Sequence, residues 1–299
     1  LRHYGFSMSM KFRKRISEQG KCNMKIRKIR LGNIFAYLAL IVLSLYFIVP
    51  FIWMFLTALK SEAEAFAYPP KLFPAEFRIR NFVDAWNSQP FFTFLKNSIL
   101  VTVLTTLGQL ISSSLVAYGF ARFDFKGKNI LFMILLSTMM IPWDVTVIPL
   151  YMEFKLLRWI NTLKPLIVPA FFGSAYYIFL LRQFLMGIPK DFEDAAHIDG
   201  ANHFQTYFRI FLPMMKAPLI LISVLNIMTV WNDYLGPLVF LNSRDKYTLP
   251  LGLAAFKGMH EMQVIPIMAI TTIMIIPPII AFAFAQKYII EGMSGALKG

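Results

Sequence analysis

The chain has 299 residues and a single cysteine, Cys22. No disulfide can close within it, and no cysteine framework for a metal exists. Histidine is almost as scarce: His3, His197, His203 and His260 are the full set. His197 and His203 stand six apart, with no carboxylate spacing that makes a metal site, so none is expected. The pattern Gly-x-x-x-x-Gly-Lys-Ser/Thr is missing, so the chain lacks a phosphate-cradling loop of that kind. Ser112, Ser113 and Ser114 are adjacent but have no base at a legible spacing, and read as helix-packing hydroxyls. Nothing here marks an enzyme, and no cofactor of its own is expected. Charge is also short, at 15% of residues against about 25% in an ordinary soluble domain. The charges cluster and leave long uncharged runs, which argues against a soluble fold.

What is present is apolar. Hydrophobic residues make up 57% of the chain, and the mean hydropathy is +0.58. A membrane-spanning helix needs roughly 20 apolar residues. Between charges, six candidate spans can be read. The first is Asn33–Leu59 and the second Asn97–Ala121. The third lies between Lys128 and Glu153 and carries Asp144. The fourth follows Lys164 and continues past Arg182 towards Ile188. The fifth, Ala217–Leu241, carries Asp233, and the sixth is Met262–Gln286. The expected fold is therefore all-α and integral to a membrane, with six transmembrane helices. A basic tail over residues 1–32 precedes one transmembrane domain over 33–299.

Lysine and arginine number 30 against 16 acidic residues, a net charge of +14. Much of the excess falls in the first thirty residues, from Lys11 to Arg30. Beside a span, such a segment is the signature of a cytoplasmic flank facing anionic membrane lipid. Nucleic-acid binding is not expected. Six spans place both termini on the cytoplasmic side, together with the loops Arg122–Lys128 and Lys190–Lys216. The segment Lys60–Lys96, with Pro69, Pro70, Pro74 and Pro90, reads as extracytoplasmic, with extended and short helical pieces. Met24-Lys25-Ile26-Arg27-Lys28 has the look of a membrane-protein start, with the residues before it as an extension. The first span is too long for a cleaved signal peptide.

The Lys190–Lys216 loop is the most informative stretch. Asp191 is a candidate N-cap, with Glu193 and Asp194 in the first turn. Phe192, Ala195 and Ala196 fall at i, i+3 and i+4 and share a face. Gly200 can take the left-handed conformation that ends a helix. A second helix follows, with Asn202 and Gln205 as a capping box. Phe204, Phe208, Phe211 and Leu212 form its apolar stripe. Pro213 and Pro218 mark a break before the fifth span. These patterns fit a solvated amphipathic loop and a partner-docking element equally well.

Glu193-Asp194-Ala195-Ala196-x-x-Asp199-Gly200-Ala201, followed by Ile210-x-Leu212-Pro213, resembles the cytoplasmic loop of binding-protein-dependent ABC importer permeases. Asp194, between Glu193 and Ala195, is a small departure from the family form. The likeness extends along nearly the whole chain. It includes Ala117–Phe123, Met140-Ile141-Pro142, Trp231-Asn232-Asp233-Tyr234 and the tail Gln286–Gly292, which are similar to carbohydrate-uptake permeases. The resemblance implies a type I importer bundle with a cytoplasmic coupling helix, in a bacterial cytoplasmic (inner) membrane. It implies a homologous second permease, an ATP-binding cassette ATPase dimer that binds ATP and Mg, and an extracytoplasmic solute-binding protein. Glu193, Asp194, Ala195, Ala196, Asp199, Gly200 and Ala201 would then couple to the ATPase. Glu193 would pair with a basic group, the alanines would permit close approach, Asp199 would act as a local cap and Gly200 would supply the turn.

Charges inside a span are costly in lipid and should face protein or water. Trp143 with Asp144, and Asn226 with Trp231, Asn232 and Asp233, combine aromatic rings with polar groups. Such groups suit a saccharide-like solute, whose apolar face stacks on rings while its hydroxyls take hydrogen bonds. An interfacial aromatic belt is the plainer alternative. A different class, a secondary transporter or channel that runs alone on a small polar solute, would need an acid relay and no ATP.

Overall fold

The computed structural model describes residues 31–254, 256 and 263–296. The basic tail expected over 1–32 lies almost wholly outside them, as do Cys22, His3 and His260. Every regular element among the described residues is helical.

Helix α1 is Leu31–Ala58, with Pro50 inside it. Its stretch Phe35–Ala58 reaches a mean hydropathy of 2.5. Among the described residues, Leu31–Ile52 belongs to one compact unit and the chain from Trp53 onward to a second. The second unit begins with a short polar segment. There Ser61 caps the single turn Glu62–Ala65, and the Glu64 carboxylate closes a capping box on Ser61. Glu64 also accepts the Ala75 N–H at 2.9 Å, which ties this proline-containing segment back on itself. Helix α2, Arg80–Asn87, follows.

Helix α3, Phe91–Arg122, is the spine of this unit. It starts earlier than the span read from charges, because Lys96 is carried within the helix. Helix α4 (Lys128–Ser137) continues as a 3-10 turn, Thr138–Met140, before α5 (Trp143–Leu156). The third candidate span is therefore not straight: the chain bends by 99° at this break. Pro142 is the physical reason, since it has no N–H to donate and its own backbone is extended. Helix α6 is Ala175–Met186 and α7 is Asp191–Ile198. A one-turn helix, His203–Thr206, runs into a π turn, Tyr207–Phe211. Helix α8 is Lys216–Trp231 and α9 is Leu235–Phe240. The fifth span was expected to run unbroken to Leu241, but the helix stops at Trp231. Helices α10 (Leu249–Ala254), α11 (Val264–Met274) and α12 (Ile276–Ala296) complete the chain.

Among the described residues, four helical stretches are long and apolar enough to cross a membrane: Phe35–Ala58, Phe91–Arg122, Lys164–Met186 and Val264–Tyr288. The number rises to six if two bent pairs each count as one span. These are Lys128–Met140 with Trp143–Leu156, and His203–Met214 with Lys216–Trp231, the latter bent by 73°.

Helix α3 packs mainly on α6 and α8, and α8 packs on α12. Apolar chains gain little by leaving lipid for protein, so close approach and hydrogen bonds hold such contacts. Ser112 bonds across to the Ala170 carbonyl at 3.2 Å. The Ser113 hydroxyl accepts the Ser174 N–H at 3.3 Å. Ser114 meets the Tyr207 hydroxyl at 2.7 Å. The serine run thus serves packing. Two buried clusters form near opposite ends of α3. One holds Tyr118, Leu181, Leu185, Ile188, Phe211 and Met215; the other holds Phe91, Phe94, Trp231, Leu249 and Ile270. From Phe91 to Tyr118, at 1.5 Å per residue, is about 40 Å.

Candidate functional site: the 189–213 loop and the α8–α11 cavity

Helix α7 emerges directly from the first cluster. Arg122, in the last turn of α3, sends Nη2 to the carbonyls of Leu185 (2.6 Å) and Ile188 (2.8 Å). Its guanidinium lies over the Phe211 ring, 4.5 Å from the centroid. The end of α6, the entry to α7 and the π turn therefore meet on one side chain.

Asp191 is not the N-cap of α7. Lys190 takes that place without a side-chain bond, and Asp191 is the first helical residue. Its charge still complements the helix dipole, as do Glu193 and Asp194. The other end of α7 follows the sequence reading. Gly200 has φ +77. Its N–H reaches the His197 carbonyl at 3.0 Å, and the Ala201 N–H reaches Ala196 at 2.9 Å. This is a Schellman closure, and Asp199 is the C-cap residue. The capping box is present too: Asn202 accepts the Gln205 N–H at 2.9 Å and Gln205 accepts the Asn202 N–H at 3.0 Å.

The shared face of Phe192, Ala195 and Ala196 divides in the structure. Ala196 is 4% exposed and packs inward. Glu193 is half-buried, while Asp194, Ala195, Asp199 and Gly200 are exposed and Ala201 is intermediate. Ile198 is 86% exposed and Phe192 45%. Phe192, Ala195 and Ile198 thus leave an outward apolar strip beside acidic groups. Ile198 was missed in the sequence, although its i, i+3, i+6 relation to Phe192 and Ala195 was legible. The second helix also differs from the expected stripe. Phe204 and Phe208 are exposed, while Thr206, Tyr207 and Phe211 are buried. The π turn adds a residue to the helical register and rotates the buried face.

The candidate pathway residues do not gather at one place. Asn226 is buried, with Nδ2 donating to Thr106 Oγ1 at 3.0 Å. Trp231 is buried in the second cluster, its indole N–H on the Met274 carbonyl at 3.0 Å. Asp233 Oδ1 accepts the Gly236 N–H, in the first turn of α9, at 3.1 Å. A Cβ at Gly236 would meet Asp233 Oδ2 at 2.5 Å, so a side chain there would have to displace the Asp233 carboxylate. This local bond competes with the helix ladder and accounts for the break in the fifth span. Trp143 and Asp144 occupy the exposed first turn of α5.

Of these six, Asn232 alone lines the cavity of about 560 Å³ bounded by α8, α10, α11 and α12. Its neighbours there include Met228, Tyr234, Thr271, Met274 and Pro278. The sequence offered a signal for them: Met228 is one turn before Asn232, and Ile267, Thr271, Met274 and Pro278 repeat at helical spacing. The wall is mainly apolar, with Asn232, Tyr234 and Thr271 as its polar groups.

Residues 109–295 match the family described as binding-protein-dependent transport system inner membrane component. The chain belongs to this family. The match takes in the C-terminal part of α3, the whole 189–213 loop and the cavity between α8 and α11. The permease is 34% identical over 268 residues to a probable ABC transporter permease protein, YurM, of Bacillus subtilis, covering 89% of this chain and 87% of that one. It is 34% identical over 228 residues to the arabinooligosaccharides transport system permease protein AraQ of Halalkalibacterium halodurans, covering 76% and 81%. Its fold is similar to a chain in the crystal structure of a bacterial ABC transporter involved in the import of the acidic polysaccharide alginate. That match has a TM-score of 0.75 and 25% identity, and covers 88% of this chain and 98% of that one. The permease is thus a multi-pass membrane protein of the ABC transporter class, and family membership points away from an enzyme.

Proposed function

We propose that this chain is one of two permease subunits of an ATP-driven importer for a saccharide, and that α7 is its coupling helix. The observation that carries the reading is the construction of α7. It is anchored inward by Ala196, closed by Gly200, and leaves Phe192, Ala195 and Ile198 outward beside acidic side chains. A short rigid helix with an unpartnered apolar strip fits a groove on a soluble partner. In this reading the partner is an ATPase, which holds the ATP and Mg, while Glu193 pairs with one of its basic groups. No cofactor resides in the permease itself. A homologous permease completes the pathway, and an extracytoplasmic solute-binding protein delivers the solute. Both termini and α7 lie on the cytoplasmic side.

The saccharide class is supported by the arabinooligosaccharide and alginate systems among the relatives. The cavity chemistry agrees, since Tyr234 offers a ring and Asn232 and Thr271 offer hydrogen bonds. Asn226, Trp231, Asp233, Trp143 and Asp144 would shape or flank the pathway rather than form this pocket. A transporter running alone is not favoured, because the relatives named above are ABC transporter permeases. The test is Glu193→Ala, assayed by co-purification and by solute-stimulated ATPase activity in the assembled importer. Coupling or association should fall while the bundle still folds. Unchanged transport with unchanged association would sink the reading.

A further inference from the structure

We propose that Glu193, His197 and His203 form a binding site for a divalent transition metal of the zinc class. A ligand atom from each residue lies within 4.8 Å of both others. Glu193 and His197 are one turn apart on the same face of α7. His203 comes from the first position of the next helix, beyond the Gly200 turn. In sequence its six-residue offset from His197 means nothing; the turn folds it back. The two imidazole rings lie 5.2 Å apart at 83°.

The placement is held on both sides. The Schellman turn fixes where α7 ends, and the Asn202–Gln205 capping box fixes where the next helix starts. The His203 ring is set edge-on against Phe123 with centroids 4.9 Å apart. Donors around one zinc ion, each at about 2.0–2.2 Å, sit roughly 3.4 Å from one another. Closing from the observed spacing needs a movement on the order of an ångström, within rotamer adjustment of exposed histidines. Two imidazoles and one carboxylate with an open fourth position for water form a zinc-type donor set. The same Phe123 ring meets the ring of buried Tyr118 with centroids 5.4 Å apart, and the Tyr118 hydroxyl has no hydrogen-bond partner among the described residues.

Occupation would divert Glu193 from any partner at α7. That regulatory consequence rests on the coupling reading above; metal binding itself does not. The test begins with equilibrium dialysis of zinc against the full chain in detergent. The wild type should bind one more zinc ion than His197→Gln or His203→Ala, or bind it at least tenfold more tightly. This difference separates the site from Cys22, His3 and His260. Equal zinc binding by the wild type and both variants overturns the site. His203 packs on Phe123, so thermal unfolding without zinc checks its variant, and exposed His197 supplies the independent one. In the assembled importer, zinc should lower ATPase activity in the wild type but not in His197→Gln. Equal inhibition, or none in either, overturns the competition. The coupling reading is judged separately by Glu193→Ala without metal.

Discussion

Arg122 holds Ile188: a guanidinium at the end of α3 donates to the carbonyl of the residue that leads into α7, at 2.8 Å. The same nitrogen takes the Leu185 carbonyl, and both residues are buried. A displacement at the entry to α7 would therefore pull on α3 through this side chain. Replacing it leaves two carbonyls without their charged donor, at a cost of about 1.5–3 kcal/mol. Arg122→Met should lower the unfolding temperature in detergent and reduce transport more than ATPase association. Arg122→Lys should recover only part of this, because an ammonium lacks the planar fork. Wild-type transport by Arg122→Met would remove Arg122 from the transmission route.

Gly200 isolates backbone strain from packing. Its φ of +77 is left-handed, and a Cβ there meets nothing within 4 Å. Gly200→Ala should therefore cost roughly 1–2 kcal/mol through conformation alone. The loss should appear as faster amide exchange in α7 and weaker solute-stimulated ATPase activity. Gly200→Asn should be milder, since asparagine tolerates this region better. Equal exchange in all three proteins would count against the closure.

Asp233 tests charge against hydrogen bonding. Its Oδ1 accepts the Gly236 N–H in the first turn of α9, and it does not line the cavity that Asn232 lines. Asp233→Asn keeps an acceptor and should retain stability and transport. Asp233→Ala should lose about 1 kcal/mol, the usual net value of one such hydrogen bond. Transport lost in the asparagine variant with stability intact would show that the charge itself serves the solute.

The Glu64 carboxyl is held below its ordinary pKa, chiefly by the Ser61 N–H and then by the Ala75 N–H. A depressed folded pKa means that its contribution is present above the unfolded value. It is lost as pH falls through the lower, folded value. The Ser61–Ala75 segment should thus resist proteolysis at neutral pH and open only in acid. Glu64→Gln should flatten that pH dependence. A segment equally protected in acid would contradict the tether.

The sequence by itself determined the membrane class, because uncharged runs of spanning length leave a chain few other ways to bury its surface. It also determined the Gly200 closure and the Asn202–Gln205 box, since both are local: the residue type and its offset specify the bonds. The site was legible only in part. Glu193 and the alanines were readable as a helix face, but which of them pack inward depended on the Arg122 anchor and on the π turn that rotates Phe211 into the core. The breaks in the third and fifth candidate spans have local causes at Pro142 and Asp233 that the charge-bounded reading passed over; only the tertiary structure moved Trp231 and Asn226 into packed positions and gathered the cavity at Asn232. It also brought His203 back to Glu193 and His197. Local spacing carries information about a turn of helix. Contacts across a turn or between helices depend on geometry that residue order does not express.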